Sequence, residues 1–371
     1  MLTKGALLWE IGSPWSVEEI EIGDPRPGEV TVQLAASGLC HSDEHLVTGA
    51  TPIPLPALGG HEGSGVVVEV GAGVTDLKVG DHVVTSFIPA CGKCPPCANG
   101  HQNLCDLGAM LLAGTAIADG GFRVTAKGQD VVQMCLLGTF SPYITVHEAS
   151  LVKIEPDIPL DVAALVGCAV TTGWGSVTKV AAVRPGETVV IMGAGGVGMN
   201  AVQSAALAGA NPVVVIDPVE AKRKWATEFG ATHTYASAEE ATAAVADLTR
   251  GRMAEKVIIT VGDIQGENIQ EALTLTAKGG RAVVSGMGHA ANLDVKLSLF
   301  QLTLLQKDLQ GAIFGGCNPR AEIPALLALY QAGRLNLNGL VTTRYPLEDI
   351  NQGYQDLRDG KNIRGLIVYP E

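Results

Sequence analysis

Hydrophobic positions along the chain change their rhythm twice. Up to about residue 150, short runs such as "EVTVQLAASG", "GSGVVVEVG" and "GDHVVTSFIP" read as β-strands punctuated by Gly, Pro and Asp. This predicts an all-β, barrel-like region. From about 170, continuous apolar runs ("TVVIMG", "PVVVID", "KVIITVG", "RAVVSG") alternate with helical stretches ("GMNAVQSAALAG", "AKRKWATEFG"). Strands buried on both faces and separated by helices predict a parallel sheet. After about 313 the texture is mixed again, with a helix near "EIPALLALYQAG" and a last strand near "RGLIVYP". So short a tail is expected to return to the first domain. The predicted division is therefore 1–169 with 314–371, and 170–313.

Composition fits this picture and narrows the partners. A length of 371 residues, 47% hydrophobic and 17% charged, suits two soluble globular domains. A net charge of −13 argues against nucleic acid and anionic membranes, which need basic surfaces. The most membrane-like stretch, "VVIMGAGGVGMNAVQSAALAGA", is interrupted by Gly, Asn200 and Gln203, so no membrane span is expected. The start, "MLTKGALLWE", has no charged-then-apolar leader, which predicts a cytoplasmic, reducing location.

In such a compartment, clustered cysteines bind metal more often than each other. "CGKCPPCANGHQNLC" places Cys91, Cys94, Cys97 and Cys105 in one loop stiffened by Pro95 and Pro96. Four thiolates make the closed tetrahedral set of structural zinc, with an iron–sulfur cluster or a redox pair as alternatives.

The run "TVVIMGAGGVGMNAVQSAALAGA" is a strand, a glycine turn and a helix. Gly193 makes the turn, Gly195 lets backbone approach a pyrophosphate, and Gly198 lets the helix pack on the strand. Gly196 and Val197 open the helix, whose N-terminus faces the anion. The next strand ends in Asp217, 19 residues beyond Gly198, where a carboxylate accepts from a ribose diol and repels a 2′-phosphate. Lys222 follows within reach of the same ribose. The combination predicts a Rossmann, doubly wound domain that binds NAD rather than NADP, although Asp217 alone could be a helix cap.

Three further segments hold soft metal ligands: "SGLCHSDEH" (37–45), "GGHEGSG" (59–65) and "VGCAVTTGWGS" (166–176). Cys40, His61 and Cys168 are the right types for an open zinc site, but spacing alone cannot join them. The ordered set of these segments, the four-cysteine lobe and the glycine fingerprint resembles the zinc-dependent medium-chain alcohol dehydrogenase family over essentially the whole chain. That resemblance implies a GroES-like β-barrel catalytic domain plus a Rossmann domain, and two zinc ions per subunit. Cys40, His61 and Cys168 would hold the catalytic zinc, with Glu62 an occasional ligand and Asp43 orienting His61. Ser42 would pass the alcohol proton toward His45 near the surface. His41 and Arg364 would contact the pyrophosphate, and Thr172, Gly286 and Met287 the nicotinamide. A homo-oligomer, dimer or tetramer, is implied, with "GGRAVVSGMGHAANLDV" near its interface.

In detail the chain resembles bacterial nicotinoprotein alcohol dehydrogenases, which depend on a nitroso-aniline acceptor (NDMA) and recycle a retained NAD with an external redox acceptor. The rival enzyme, a formaldehyde dehydrogenase acting on S-(hydroxymethyl)glutathione, needs an Arg where this chain has Ala109. A rival of another class, a non-catalytic NAD- and zinc-binding protein, would be favoured by loss of Cys40, His61, Cys168 or Ser42, and all are present. Leu46, Leu112, Phe140 and Leu297 are read as pocket wall or core, and Cys135 and Cys317 as packed thiols. The substrate is expected to be an apolar primary or secondary alcohol, or the aldehyde in reverse.

Overall fold

Val189–Met192, Val213–Ile216, His233–Tyr235, Ala254–Ile259, Thr276–Val284 and Asp308–Gly311, here β1 to β6, form one parallel sheet in the order β3-β2-β1-β4-β5-β6. Four-residue runs of valine, isoleucine and methionine with every position buried occupy its centre. Such β-branched runs pack well when both faces are covered. The computed structural model describes residues 1–370. In it the chain divides into two units, Met1–Cys168 with Asn318–Glu371, and Ala169–Cys317, the sheet belonging to the second.

Register in this sheet has a functional consequence. Met192 lies level with Ile216 and with Ile259, and Ile259 lies level with Val284. The residues that follow, Gly193, Asp217, Thr260 and Ser285, therefore stand along one rim at the carboxyl ends of the strands. Strand order reverses between β1 and β4, and that crevice is where doubly wound sheets take their ligands. Polar Asp308–Gly311 was not evident as a strand in the hydrophobic pattern; its pairing with Arg281–Val284 makes it the sheet edge.

The first unit holds a closed barrel of Leu2–Leu8, Ser16–Ile22, Val124–Ala126, Gln129–Gln133 and Ala57–Leu58. A second sheet runs through Leu151–Lys153, His82–Thr85, Gly63–Val70, Glu29–Gly38, Arg364–Val368 and Val341–Tyr345, with Tyr143–His147 also on Glu29–Gly38. Leu366 pairs opposite Gly38, so the last strand closes onto one of the first. The core between them includes an aromatic cluster in which Trp15 meets Phe140 edge-on at 5.5 Å and Tyr354 at 6.1 Å. Among the described residues no single helix is long and apolar enough to cross a membrane.

Candidate metal centres and dinucleotide rim

All eight cysteines are free thiols. In the lobe, Cys94 precedes a one-turn helix, Pro95–Ala98, whose two prolines fix the entry φ and lose no helical hydrogen bond. The four sulfurs converge, with Cys94 and Cys105 3.8 Å apart and Cys91 and Cys97 4.0 Å apart. Tetrahedral zinc with about 2.3 Å bonds to sulfur requires edges of about 3.8 Å, so the set fits. Backbone N–H groups of Cys91, Cys94 and Asp106 donate to three of the sulfurs at 3.4 Å each. Burial opposes ionisation of Cys91, but the amides of Lys93 and Cys94 overcome it and bring its pKa down to about 6. Burial pushes Cys105 up to about 12.

The second cluster is assembled from distant segments. Ligand atoms of Cys40, His61, Glu62 and Cys168 all lie within 4.8 Å of one another. Cys40 caps the helix His41–Val47, and the Asp43 carboxylate receives the Cys40 N–H at 3.2 Å, the Gly60 N–H at 3.1 Å and the His61 Nδ1–H at 3.3 Å. One fully buried carboxylate thus fixes both ligand segments. With Nδ1 committed to an acceptor, Nε2 is the free ring position, and it is buried without a partner. Burial disfavours charge on His61, yet Asp43 and Cys40 outweigh it and raise its pKa. A field that holds a proton there also favours a metal cation in the proton's place. Its hydrogen bond to Cys168 holds Cys40 well below the ordinary thiol range, and the same contact raises Cys168. The donor set fits zinc with three protein ligands.

Glu62 is fully buried, and burial raises its pKa. Its Oε2 pairs with Arg364 at 2.7 Å while Oε1 has no partner. Arg364 also donates to the Leu39 carbonyl at 2.9 Å and is itself buried. Ser42 Oγ lies 3.6 Å from Cys40 Sγ. His45, expected near the surface, is only 5% exposed and neither ring nitrogen has a partner, because it projects from the inner face of its helix. His41 is exposed. Phe140 is core rather than pocket wall, packed on Trp15 and Tyr354, whereas Leu112 is exposed. Two neighbours were missed from sequence: Phe87, edge-on to His61 at 5.8 Å, and Glu44, held by Arg358 at 2.9 Å. Neither carries a local pattern that could have revealed it.

At the rim, Gly193 has φ +95°, and a Cβ on Gly198 would sit 1.9 Å from the Gly193 carbonyl oxygen. Only glycine permits that approach of helix to strand. Gly195 is different: nothing lies within 4 Å of where its Cβ would be. The absent side chain leaves open space before the N-terminus of the helix Gly196–Leu207, a cradle suited to a pyrophosphate. Asp217 accepts from the Ala194 N–H at 2.8 Å and the Val219 N–H at 2.9 Å, which aims its carboxylate at the glycine turn. Each oxygen keeps a lone pair for a further donor. Lys222 is half-buried on the helix that follows, Glu220–Glu228. Gly286 packs against Val261, Met287 is 45% exposed, and the Thr172 hydroxyl is buried without a partner.

Residues 26–156 match the alcohol dehydrogenase GroES-like domain family, and residues 196–332 match the zinc-binding dehydrogenase family. The chain is 58% identical to alcohol dehydrogenase B of Mycobacterium tuberculosis over 372 residues, covering 100% of this chain and 99% of that protein. It is 50% identical to the NDMA-dependent alcohol dehydrogenase of Amycolatopsis methanolica over 369 residues, covering 100% and 99%. Among solved structures, the benzyl alcohol dehydrogenase of Acinetobacter calcoaceticus superimposes with a TM-score of 0.92 at 28% identity, covering 100% of both chains. An alcohol dehydrogenase zinc-binding domain protein of Burkholderia ambifaria does so with a TM-score of 0.93 at 33%, again over 100% of both. With a barrel unit, a doubly wound unit and these matches along its whole length, the chain belongs to the zinc-dependent medium-chain alcohol dehydrogenase family.

Proposed function

We propose that the chain is a zinc- and NAD-dependent alcohol dehydrogenase that transfers hydride between an apolar primary or secondary alcohol and NAD. The observation that carries this reading is the open donor set, in which His61 presents a buried, unpartnered Nε2 beside Cys40 and Cys168. Those three residues would hold one zinc, with Glu62 restrained by Arg364 as an alternative ligand, and the lobe cysteines would hold a second. The Gly193–Gly198 turn would hold the NAD pyrophosphate, and Asp217 with Lys222 its adenosine ribose. Bound there, zinc supplies Lewis acidity toward an alcohol oxygen and NAD supplies the hydride acceptor.

The chain's own groups do the rest. Asp43 fixes the ring of His61. Ser42 would take the alcohol proton and pass it toward His45, three residues on along the same helix, although the two side chains share no direct hydrogen bond. His41 contacts the pyrophosphate, while Thr172, Gly286 and Met287 face the nicotinamide. The NDMA-dependent relative supports a retained cofactor recycled by an external acceptor. Exposed Leu299, Phe300 and Leu304 beside the edge strand Asp308–Gly311 support a homo-oligomer, because an open strand edge with apolar neighbours favours pairing with a second copy. Phe300→Asp is expected to lower the oligomeric mass in light scattering, and an unchanged mass would remove this surface from the interface.

The test is a single turnover. Alcohol is added to purified protein without NAD, and the reduced-nicotinamide absorbance is followed. A rise of about one equivalent per chain that stops until an acceptor is added is the outcome expected for retained NAD. Turnover only with added NAD leaves the dehydrogenase reading and removes retention. Silence in both, with two zinc ions per chain, refutes simple alcohol oxidation and returns the glutathione adduct.

A further inference from the structure

A hydroxyl pair in the second unit has no place in the mechanism above. Ser176 is completely buried, and its Oγ lies 2.6 Å from the Thr172 carbonyl and 2.7 Å from Ser285 Oγ. A carbonyl only accepts, so Ser176 gives its single proton to Thr172 and Ser285 must donate to Ser176. The chain is locally unusual at this point. The Ala181 N–H bonds to the Ser176 carbonyl at 2.9 Å, five residues back, and Ser176–Val180 forms a π-helical turn after the helix Ala169–Gly175. Such insertions are uncommon and concentrate at functional sites.

Both partners of Ser176 stand where the second half of a dinucleotide belongs. Doubly wound sheets bind the two halves on either side of the reversal between β1 and β4. Asp217, after β2, marks the adenosine side, so the other half lies over the ends of β4 and β5. The Thr260 hydroxyl after β4 is spent on the carbonyls of Met192 and Gly193. After β5 come Ser285 and Gly286. Thr172 is one helical turn before Ser176, and its own hydroxyl is buried and unpartnered. This turn is seated from two directions. A Cβ on Gly173 would lie 2.3 Å from the Val197 carbonyl at the fingerprint helix, and one on Gly315 would lie 2.6 Å from the Thr172 carbonyl.

We propose that Ser176 and Ser285 are positioning residues for the nicotinamide half of the cofactor, their hydroxyl pair holding Thr172 and Gly286 as one edge of that half-site. This rests on the NAD reading above. The plainer alternative is two buried serines that only satisfy one another. Binding of NADH and of ADP-ribose, which lacks the nicotinamide, separates the two. Each is measured by fluorescence or calorimetry on full-length protein first stripped of any retained nucleotide, as wild type, Ser176→Ala, Ser285→Ala, the double variant and Ser285→Thr. Each alanine variant is expected to weaken NADH about fivefold, as loss of one net hydrogen bond does, and to leave ADP-ribose unchanged within about twofold. The double variant is expected to be no weaker than either single one, and Ser285→Thr to restore binding. NADH affinity unchanged, or NADH and ADP-ribose falling together, overturns the proposal while leaving the NAD reading intact. A wild-type protein that binds neither nucleotide removes both.

Discussion

The two sulfur-rich clusters reach similar geometry by opposite routes. In the lobe, four ligands lie within fifteen residues, and local backbone does the work, since amides of the loop itself donate to three sulfurs. In the other cluster the ligands come from three segments, and the supporting groups are buried charges: Asp43 behind His61 and Arg364 against Glu62. A contiguous set is a module, closed and saturated. A dispersed set needs an outer layer of partners to hold it, and in exchange it keeps a mixed donor set with His61 Nε2 and Glu62 Oε1 still unpartnered.

The largest expected effect separates these roles. His61→Ala should lower kcat/KM for alcohol about a thousandfold or more, the loss of several kcal/mol of charge stabilisation, with the lobe cysteines still binding zinc. Cys97→Ala should instead release the lobe metal and lower Tm by about 10 °C or more. Zinc analysis, kinetics and calorimetry on the two variants check both, and if each loses the same property the contrast collapses. Next in size, Asp43→Asn should weaken metal retention at the dispersed site about 10- to 100-fold in a chelator competition, with the lobe keeping its metal. Asp217→Asn should weaken NAD about tenfold and narrow its advantage over NADP, because a neutral amide no longer repels the 2′-phosphate.

The smallest effect is expected at a polar cluster that holds no ligand. Arg123 makes a buried bidentate pair with Glu29 at 2.6 and 2.8 Å and reaches Asp119 at 2.9 Å. The Gly121 amide, followed by Arg123, holds the Asp119 carboxyl down to about 2. A depressed carboxylate contributes stability that is present above the ordinary value near 4 and is lost as pH falls toward about 2. Asp119 is 31% exposed, so solvent screens the gain. Asp119→Asn should therefore cost about 2 °C in Tm at pH 7, the gap closing between pH 4 and 2 in a thermal-melt series.

Legibility in the sequence followed the same divide. The lobe and the strand–turn–helix fingerprint could be read because each is continuous along the chain, so local spacing carries the geometry. Cys40, His61 and Cys168 were joined only by resemblance, since no periodicity links residues so far apart. The Glu62–Arg364 pair, Phe87 beside His61 and the burial of His45 had no sequence signal, for each depends on which segments the sheets bring side by side. The edge strand Asp308–Gly311 was hidden for another reason. It is polar and mostly exposed, and only hydrogen bonding to its neighbour makes it a strand.

The Glu62–Arg364 pair closes across 302 residues, and the whole of the second unit lies inside that interval. While the chain is being made, the Rossmann sheet has all six of its strands before Arg364 leaves the ribosome. The strand Glu29–Gly38 waits throughout for its partner Arg364–Val368. The inserted unit can fold locally and early; the enclosing unit, with its long loop to close, must finish late. Until then Glu62 lacks its counter-charge, so the dispersed ligand cluster is among the last features of the molecule to mature.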